Sequence, residues 1–258
     1  MKNLIIRIFF ISVFTILSCT QKPNYGQPNI DLSSVERDFK KWWSYQNSNI
    51  LLSSDFIPID VNSNKVSKEE FLKNLTTGFF VPLKLNSEDS LTYYKLFRLD
   101  KIAVDEIRNT IISLSTHSYD LFKMEEKYFP TFNFTDLKGK NFNNENTKGK
   151  FVILKCWFIG CHACIAEFPE LNNLVEKYQN RNDIIFISLA FDSKENLDQF
   201  LINKPLKFAV IPGQKDYISK TLNISQFPTL FIIDKNGVIE KVVNNCSEMT
   251  LALEKMDL

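Results

Sequence analysis

Cys161 and Cys164 stand three apart, between a strand-like run and a helix-like one, and no other feature restricts the fold of this chain as much. Phe151 to Trp157 reads FVILKCW, mostly apolar and β-prone as a strand buried on both faces is, and residues 162 to 180 have helical spacing. The rest of the second half alternates around this junction. Ile184 to Ala190 reads as a second buried strand, Lys194 to Asn203 as a helix, Lys207 to Ile211 as a short strand, Gln214 to Leu222 as a helix and Thr229 to Ile233 as a strand. Asp234-Lys235-Asn236-Gly237 predicts a type I′ turn, because Asn-Gly accepts positive φ, with Val238 to Val243 as the returning strand and Ser247 to Met256 as a last helix. The pattern predicts an α/β fold, a central mixed sheet with helices on both faces.

A CxxC pair can be a redox couple, half of a metal site or a structural disulfide. Zinc takes four soft ligands, commonly two such pairs, and only one is present, so no metal is expected. A four-residue loop restricts the unfolded chain little, which argues against a purely structural bond. Among the other cysteines, Cys156 reads as a small buried hydrophobe in its strand and Cys246 has no evident partner, while His117 is unassigned. Five cysteines in all are too few for a disulfide framework.

The compartment follows from the N-terminus. Lys2 and Arg7 precede an uncharged apolar run from Ile8 to Leu17, a signal-peptide pattern over residues 1–18 and shorter than the ~20 residues a membrane span needs. Ile16-Leu17-Ser18-Cys19 resembles a bacterial lipobox, which implies lipid on Cys19, a tether over 19–34 and a periplasmic, lipid-anchored protein. An ordinary cleaved signal or a short anchor is the alternative, and it also places the mature protein outside the cytoplasm. A net charge of +1 gives no reason to expect a nucleic-acid partner or an acidic substrate.

The order of elements, with CxxC at the first strand-to-helix junction, resembles the thioredoxin fold, and more narrowly the TlpA-like family of membrane-tethered thiol-disulfide oxidoreductases within the AhpC/TSA-type redoxins. The resemblance covers residues 127 to 258 and rests on four pieces. Phe129-Pro-Thr-Phe-Asn-Phe-Thr-Asp-Leu-Lys-Gly139 is similar to the opening hairpin, and Lys148-Gly-Lys150 precedes the central strand. Cys161-His-Ala-Cys164-Ile-Ala-Glu167 follows it, and Phe227-Pro228-Thr229 stands where the family has its cis-proline. Two departures are the Gly160 that replaces the usual Trp before the first cysteine, and the absence of proline between the cysteines.

At a helix start, unsatisfied N–H groups and the dipole favour an anion, so Cys161 is expected to be the exposed attacking thiolate and Cys164, one turn on, the buried resolving thiol. Glu167 occupies the position of the family's active-site glutamate and is expected to receive the Cys164 proton or hold its pKa up. The resemblance implies a cis Pro228 whose neighbouring backbone pairs with an extended target segment. His162, when protonated, would favour the Cys161 thiolate, and a solvent-facing role is equally open.

Expected partners are protein disulfides or dithiols, a redox partner in the membrane that donates or accepts electrons, and the membrane itself through lipid. No cofactor is expected. The competing functions are a peroxide-reducing enzyme of the peroxiredoxin branch and a non-catalytic binding module. Residues 35–125 predict a small α+β region from a strand at 57–60, a helix at 68–75, a strand at 78–85 and a helix over 105–126, with Trp42, Trp43, Phe71, Phe79 and Phe80 as core.

Overall fold

The computed structural model describes residues 25–256. The leader read over 1–18, the lipid site at Cys19 and the first part of the tether lie outside the described residues.

The N-terminal region runs α1 (Phe39–Asn49), β1 (Ile57–Ile59), α2 (Lys68–Leu75), β2 (Phe80–Lys84), β3 (Tyr93–Arg98) and α3 (Asp105–Phe122). Asp38 caps α1 by accepting from the Lys41 N–H and Ser67 caps α2 by accepting from the Glu70 N–H, which satisfies two otherwise orphaned donors. The strands pair in the order β1-β3-β2, with β1 parallel and β2 antiparallel to β3. Trp42, Phe71, Leu75, Leu83 and Ile107 fill a core of their own. Trp43 and Phe79, expected in that core, are exposed at 38% and 57%. Trp43 adjoins Trp42 on α1, and consecutive helical residues face different ways.

Residues 25–34, read as tether, are folded against this sheet, contrary to that expectation. Pro28 bridges Leu85 and the Asn86 N–H donates to the Gln27 carbonyl. Gly26 has φ +89°, and a Cβ there would lie 1.7 Å from the Asn86 carbonyl oxygen, so only glycine allows the approach.

The second half contains β4 (Asn133–Thr135), β5 (Asn141–Asn143), β6 (Phe151–Trp157), α4 (His162–Ala166), α5 (Phe168–Lys177), β7 (Ile184–Ala190), α6 (Lys194–Asn203), β8 (Ala209–Ile211), β9 (Thr229–Ile233), β10 (Ile239–Val243) and α7 (Cys246–Lys255). β4 and β5 form the opening hairpin. The main sheet has the order β10-β9-β6-β7-β8, with β6, β7 and β8 mutually parallel and β9 antiparallel to β6 and β10. This is the thioredoxin-like arrangement. One face packs under α5, α6 and α7 through Ile153, Trp157, Leu171, Leu197 and Met249. Val152, Leu154 and Cys156 face the other way, toward Leu121 of α3, Phe134 and Phe142 of the hairpin, and Ile218. A strand with both faces covered in this way has no polar side, and its sequence reads as an apolar run.

Three expectations need correction. The helix read over 162–180 is two helices meeting at Glu167, because Pro169 has no N–H to donate back and its ring crowds the Ile165 carbonyl. The stretch 214–222 contains a π-helical turn, Tyr217–Thr221, in which the Leu222 N–H donates to the Tyr217 carbonyl and Ile218 and Leu222 both reach the core. At 234–237 only Gly237 has positive φ (+85°), and the Asp234 side chain accepts from the Asn236 and Val238 N–H groups. This is a longer loop with a left-handed glycine at its end and not a type I′ turn.

Ion pairs tie the two halves together. Lys241 of β10 contacts Asp55 at 2.7 Å and Glu125 at 3.5 Å, and the Ser53 hydroxyl donates to Glu248 at 2.7 Å. Beside them, Lys68 Nζ donates to the Ser53 and Ser54 carbonyls. Burial, with the nearby Lys241 charge, pulls the Lys68 ammonium down to about 8 from an ordinary 10.5. The unfolded chain therefore binds more protons than the folded one between these values, and the Lys68 contribution to stability rises with pH across that window. In urea unfolding compared with Lys68→Met, the wild-type protein is expected to gain roughly 1–2 kcal/mol in relative stability on going from about pH 7 to about pH 9.5. A constant or falling difference contradicts this.

Candidate active site

β6 ends in the wholly buried Cys156 and Trp157, and the chain then turns through residues 158–161 into α4. The turn is held by the Ile159 N–H, which donates to Asp192 Oδ2 at 2.8 Å, and by the Cys161 N–H, which donates to the Phe158 carbonyl at 3.0 Å. Cys161 is the N-cap of α4 with extended backbone, and its Sγ accepts from the Cys164 N–H at 3.2 Å. The pair is closed as a disulfide, with S–S 2.08 Å and Cα–Cα 5.3 Å. Cys164 is wholly buried. Cys161 retains only 7% exposure, against the expectation of an exposed thiol, because its sulfur is turned back onto the first turn of the helix and packs into the same core as Cys164.

His162 and Ala163 are exposed on the first turn of α4. The Phe227–Pro228 peptide is cis, and the Thr229 hydroxyl donates to the Gln226 carbonyl at 2.8 Å, fixing the approach to β9. Phe158, Phe191 and Phe227 meet with ring centroids 5.1 to 5.4 Å apart, joining the loop before Cys161, the end of β7 and the cis-proline loop into one half-buried aromatic patch.

Glu167 closes α4, and both of its carboxylate oxygens are held. Oε2 lies 2.6 Å from Lys155 Nζ, and Oε1 accepts from the Cys246 N–H at the start of α7 at 3.1 Å. Lys155 is fully buried, on the same β6 face as Ile153 and Trp157. Burial pulls its ammonium below the ordinary lysine value, opposed by the Glu167 charge. The sequence reading missed Lys155, and the signal available was a lysine at an inward position of an otherwise apolar strand. Cys246 is buried and its thiol pushed up to about 12, mainly by burial and then by the Glu170 and Glu167 charges. Burial also raises the Cys156 thiol, on the opposite face of the sheet. His117 Nε2 lies 2.8 Å from Asn244 Oδ1, linking α3 to the loop before α7. Among the described residues no group of three or more His, Cys, Asp or Glu side chains is arranged to hold a metal ion.

The arrangement can carry out thiol–disulfide exchange. A two-cysteine couple lies at a helix start, a carboxylate three residues beyond it is anchored from a strand and a second helix, and a cis-proline loop joins it through the aromatic patch.

Residues 126–242 match the AhpC/TSA family. The chain is 35% identical over 118 residues to the thiol-disulfide oxidoreductase ResA of Bacillus cereus, a match covering 45% of this chain and 68% of that protein. It is 36% identical over 122 residues to the ResA of Bacillus thuringiensis subsp. konkukian, with 46% and 70% covered. It thus spans about two thirds of the length of these curated relatives. Among solved structures it is similar to the thioredoxin domain of a thiol-disulfide oxidoreductase from Bacteroides vulgatus, at 22% identity and TM-score 0.47, covering 51% of this chain and 96% of that one.

Proposed function

Because this chain belongs to the TlpA-like thiol-disulfide oxidoreductases of the AhpC/TSA family, we propose that it reduces disulfides of specific proteins outside the cytoplasm through Cys161 and Cys164. The observation that carries this reading is the Cys161–Cys164 bond, with Cys161 as helix cap and Cys164 sealed behind it. In the reduced enzyme the Cys161 thiolate attacks one sulfur of the target disulfide. The other target sulfur leaves as a thiolate and a mixed disulfide forms. Cys164 gives its proton to Glu167 and attacks Cys161 Sγ, so the second target sulfur leaves as well. The target gains two electrons and the cysteine pair loses two.

His162, when protonated, favours the Cys161 thiolate, and the backbone beside Pro228 pairs with the extended target. An electron-donating partner in the membrane returns the pair to the dithiol. The reading is tested by offering the reduced protein a disulfide-bonded peptide and, separately, hydrogen peroxide. Reduction of one peptide disulfide per protein is expected, with peroxide consumed no faster than by a simple dithiol. Stoichiometric peroxide consumption without peptide reduction overturns it.

We further infer, from the leader and the lipobox-like Ile16-Leu17-Ser18-Cys19, that Cys19 carries lipid and holds the enzyme on a bacterial membrane facing the periplasm. Metabolic labelling with a fatty acid is expected to mark the native chain and not Cys19→Ala. Equal labelling of both excludes this anchor.

A further inference from the structure

Lys155 is the one lysine or arginine among the described residues with no solvent exposure at all, and it reaches a single carboxylate. Placing a charge so deep is costly, and a buried ion pair gives a fold little or nothing that a well-packed apolar pair of the same volume would not. Stability therefore does not account for it. The geometry does: Nζ meets Glu167 Oε2 at 2.6 Å while the Cys246 N–H holds Oε1, so strand β6 and helix α7 together fix the carboxylate at the end of the short helix that carries the disulfide.

We propose that Lys155 is a positioning residue for the resolving step: its ammonium keeps the Glu167 carboxylate charged and aimed, so that Glu167 takes the Cys164 proton at neutral pH. The proposal rests on the reading of Glu167 as proton acceptor given above. Without the cation beside it, this mostly buried carboxylate moves toward its protonated form and is weakened as a base. The other titratable groups around the pair are Cys164 on α4, Glu170 on α5 and Cys246 on α7, with Cys156 beside Lys155 on β6. Cys246 remains a thiol at neutral pH, since its thiol is pushed up to about 12, and does not compete for the proton.

The test uses oxidised glutathione as the target. Full-length reduced protein forms a mixed disulfide at Cys161, and its conversion to the Cys161–Cys164 bond is followed by acid quench and mass between about pH 5 and about pH 9. In the wild-type protein this rate is expected to fall on the acid side. In Lys155→Met the fall moves to higher pH by about one unit or more, a tenfold loss at a pH on the limb. In Glu167→Gln the plateau above the limb is lost and the rate climbs with pH across the whole range as the Cys164 thiol itself ionises, and adding Lys155→Met to it changes the profile no further. A merely structural lysine would lower the rate at every pH and leave the limb in place, and that result overturns the proposal. A limb shift of the same size with Glu167→Gln present also overturns it. Should Lys155→Met fail to fold, Lys155→Gln, which keeps a donor for Glu167 but carries no charge, takes its place: a limb moved to higher pH supports the proposal and a wild-type limb overturns it. Wild-type protein that never resolves the mixed disulfide, or a single Glu167→Gln whose profile keeps the wild-type plateau and limb, refutes the underlying functional reading instead.

Discussion

Cells producing the Cys164→Ala protein are expected to accumulate covalent adducts between Cys161 and target proteins, and cells producing Cys161→Ala are not. The asymmetry comes from the helix start. Cys161 caps α4, where the free N–H groups of the first turn favour a thiolate, and unlike Cys164 it keeps some solvent exposure. Cys164 has no solvent exposure, so as the lone survivor it meets no target. With the resolving thiol removed, the first step still occurs and the second cannot. The difference in trapped material, read on non-reducing gels and by mass spectrometry, is expected to be on the order of tenfold or more. The trapped proteins also identify the substrate class, and the proposal requires them to be exported. Equal or greater trapping by Cys161→Ala reverses the assignment of attacking and resolving thiols.

Glu167→Leu is expected to be among the most destabilising single substitutions in the thioredoxin-like half, at about 3–5 kcal/mol. It leaves a wholly buried ammonium unpaired and removes the acceptor of the Cys246 N–H as well. Lys155→Met is expected to cost less, because Glu167 retains 14% side-chain exposure and the Cys246 hydrogen bond when its cation is removed. Lys155→Met/Glu167→Gln is expected to recover most of the loss, since neither residue then carries a buried charge and Gln still accepts from Cys246. Urea unfolding of the three proteins at one pH checks the order. A Lys155→Met protein less stable than Glu167→Leu contradicts the account of which charge depends on which.

These two results draw on residues that were unequally legible in the sequence. Cys161, Cys164, Glu167 and Pro228 stand in local patterns, a CxxC at a strand-to-helix junction and a Phe-Pro-Thr before a buried strand, and local patterns carry their own geometry. Lys155 meets Glu167 across the turn between β6 and α4, marked only by a lysine at an inward position of an apolar strand, whereas the Cys246 contact spans about 80 residues and has no local signature. The same division holds for the fold. FVILKCW and IIFISLA announce buried strands by apolar runs, whereas α1 was missed because its stretch FKKWWSYQNSN mixes two Trp residues with Lys, Ser and Asn and buries only three of its residues. β3, YYKLFR, shows no clean alternation because Tyr93 and Tyr94 are both buried. The break at Glu167 was readable from Pro169. The π-helical turn at 217–221 arises from packing against the second sheet face and was not.

The most direct test of the account is an equilibrium titration of the purified protein against mixtures of reduced and oxidised glutathione, with alkylation and intact mass as the readout. If Cys161 and Cys164 are one two-electron couple, both become alkylated together in a single transition with a slope of about 30 mV per tenfold change in ratio, while Cys156 and Cys246 are unchanged throughout. A pair that never opens while the protein is folded, or two cysteines that titrate independently as separate glutathione adducts, would contradict it.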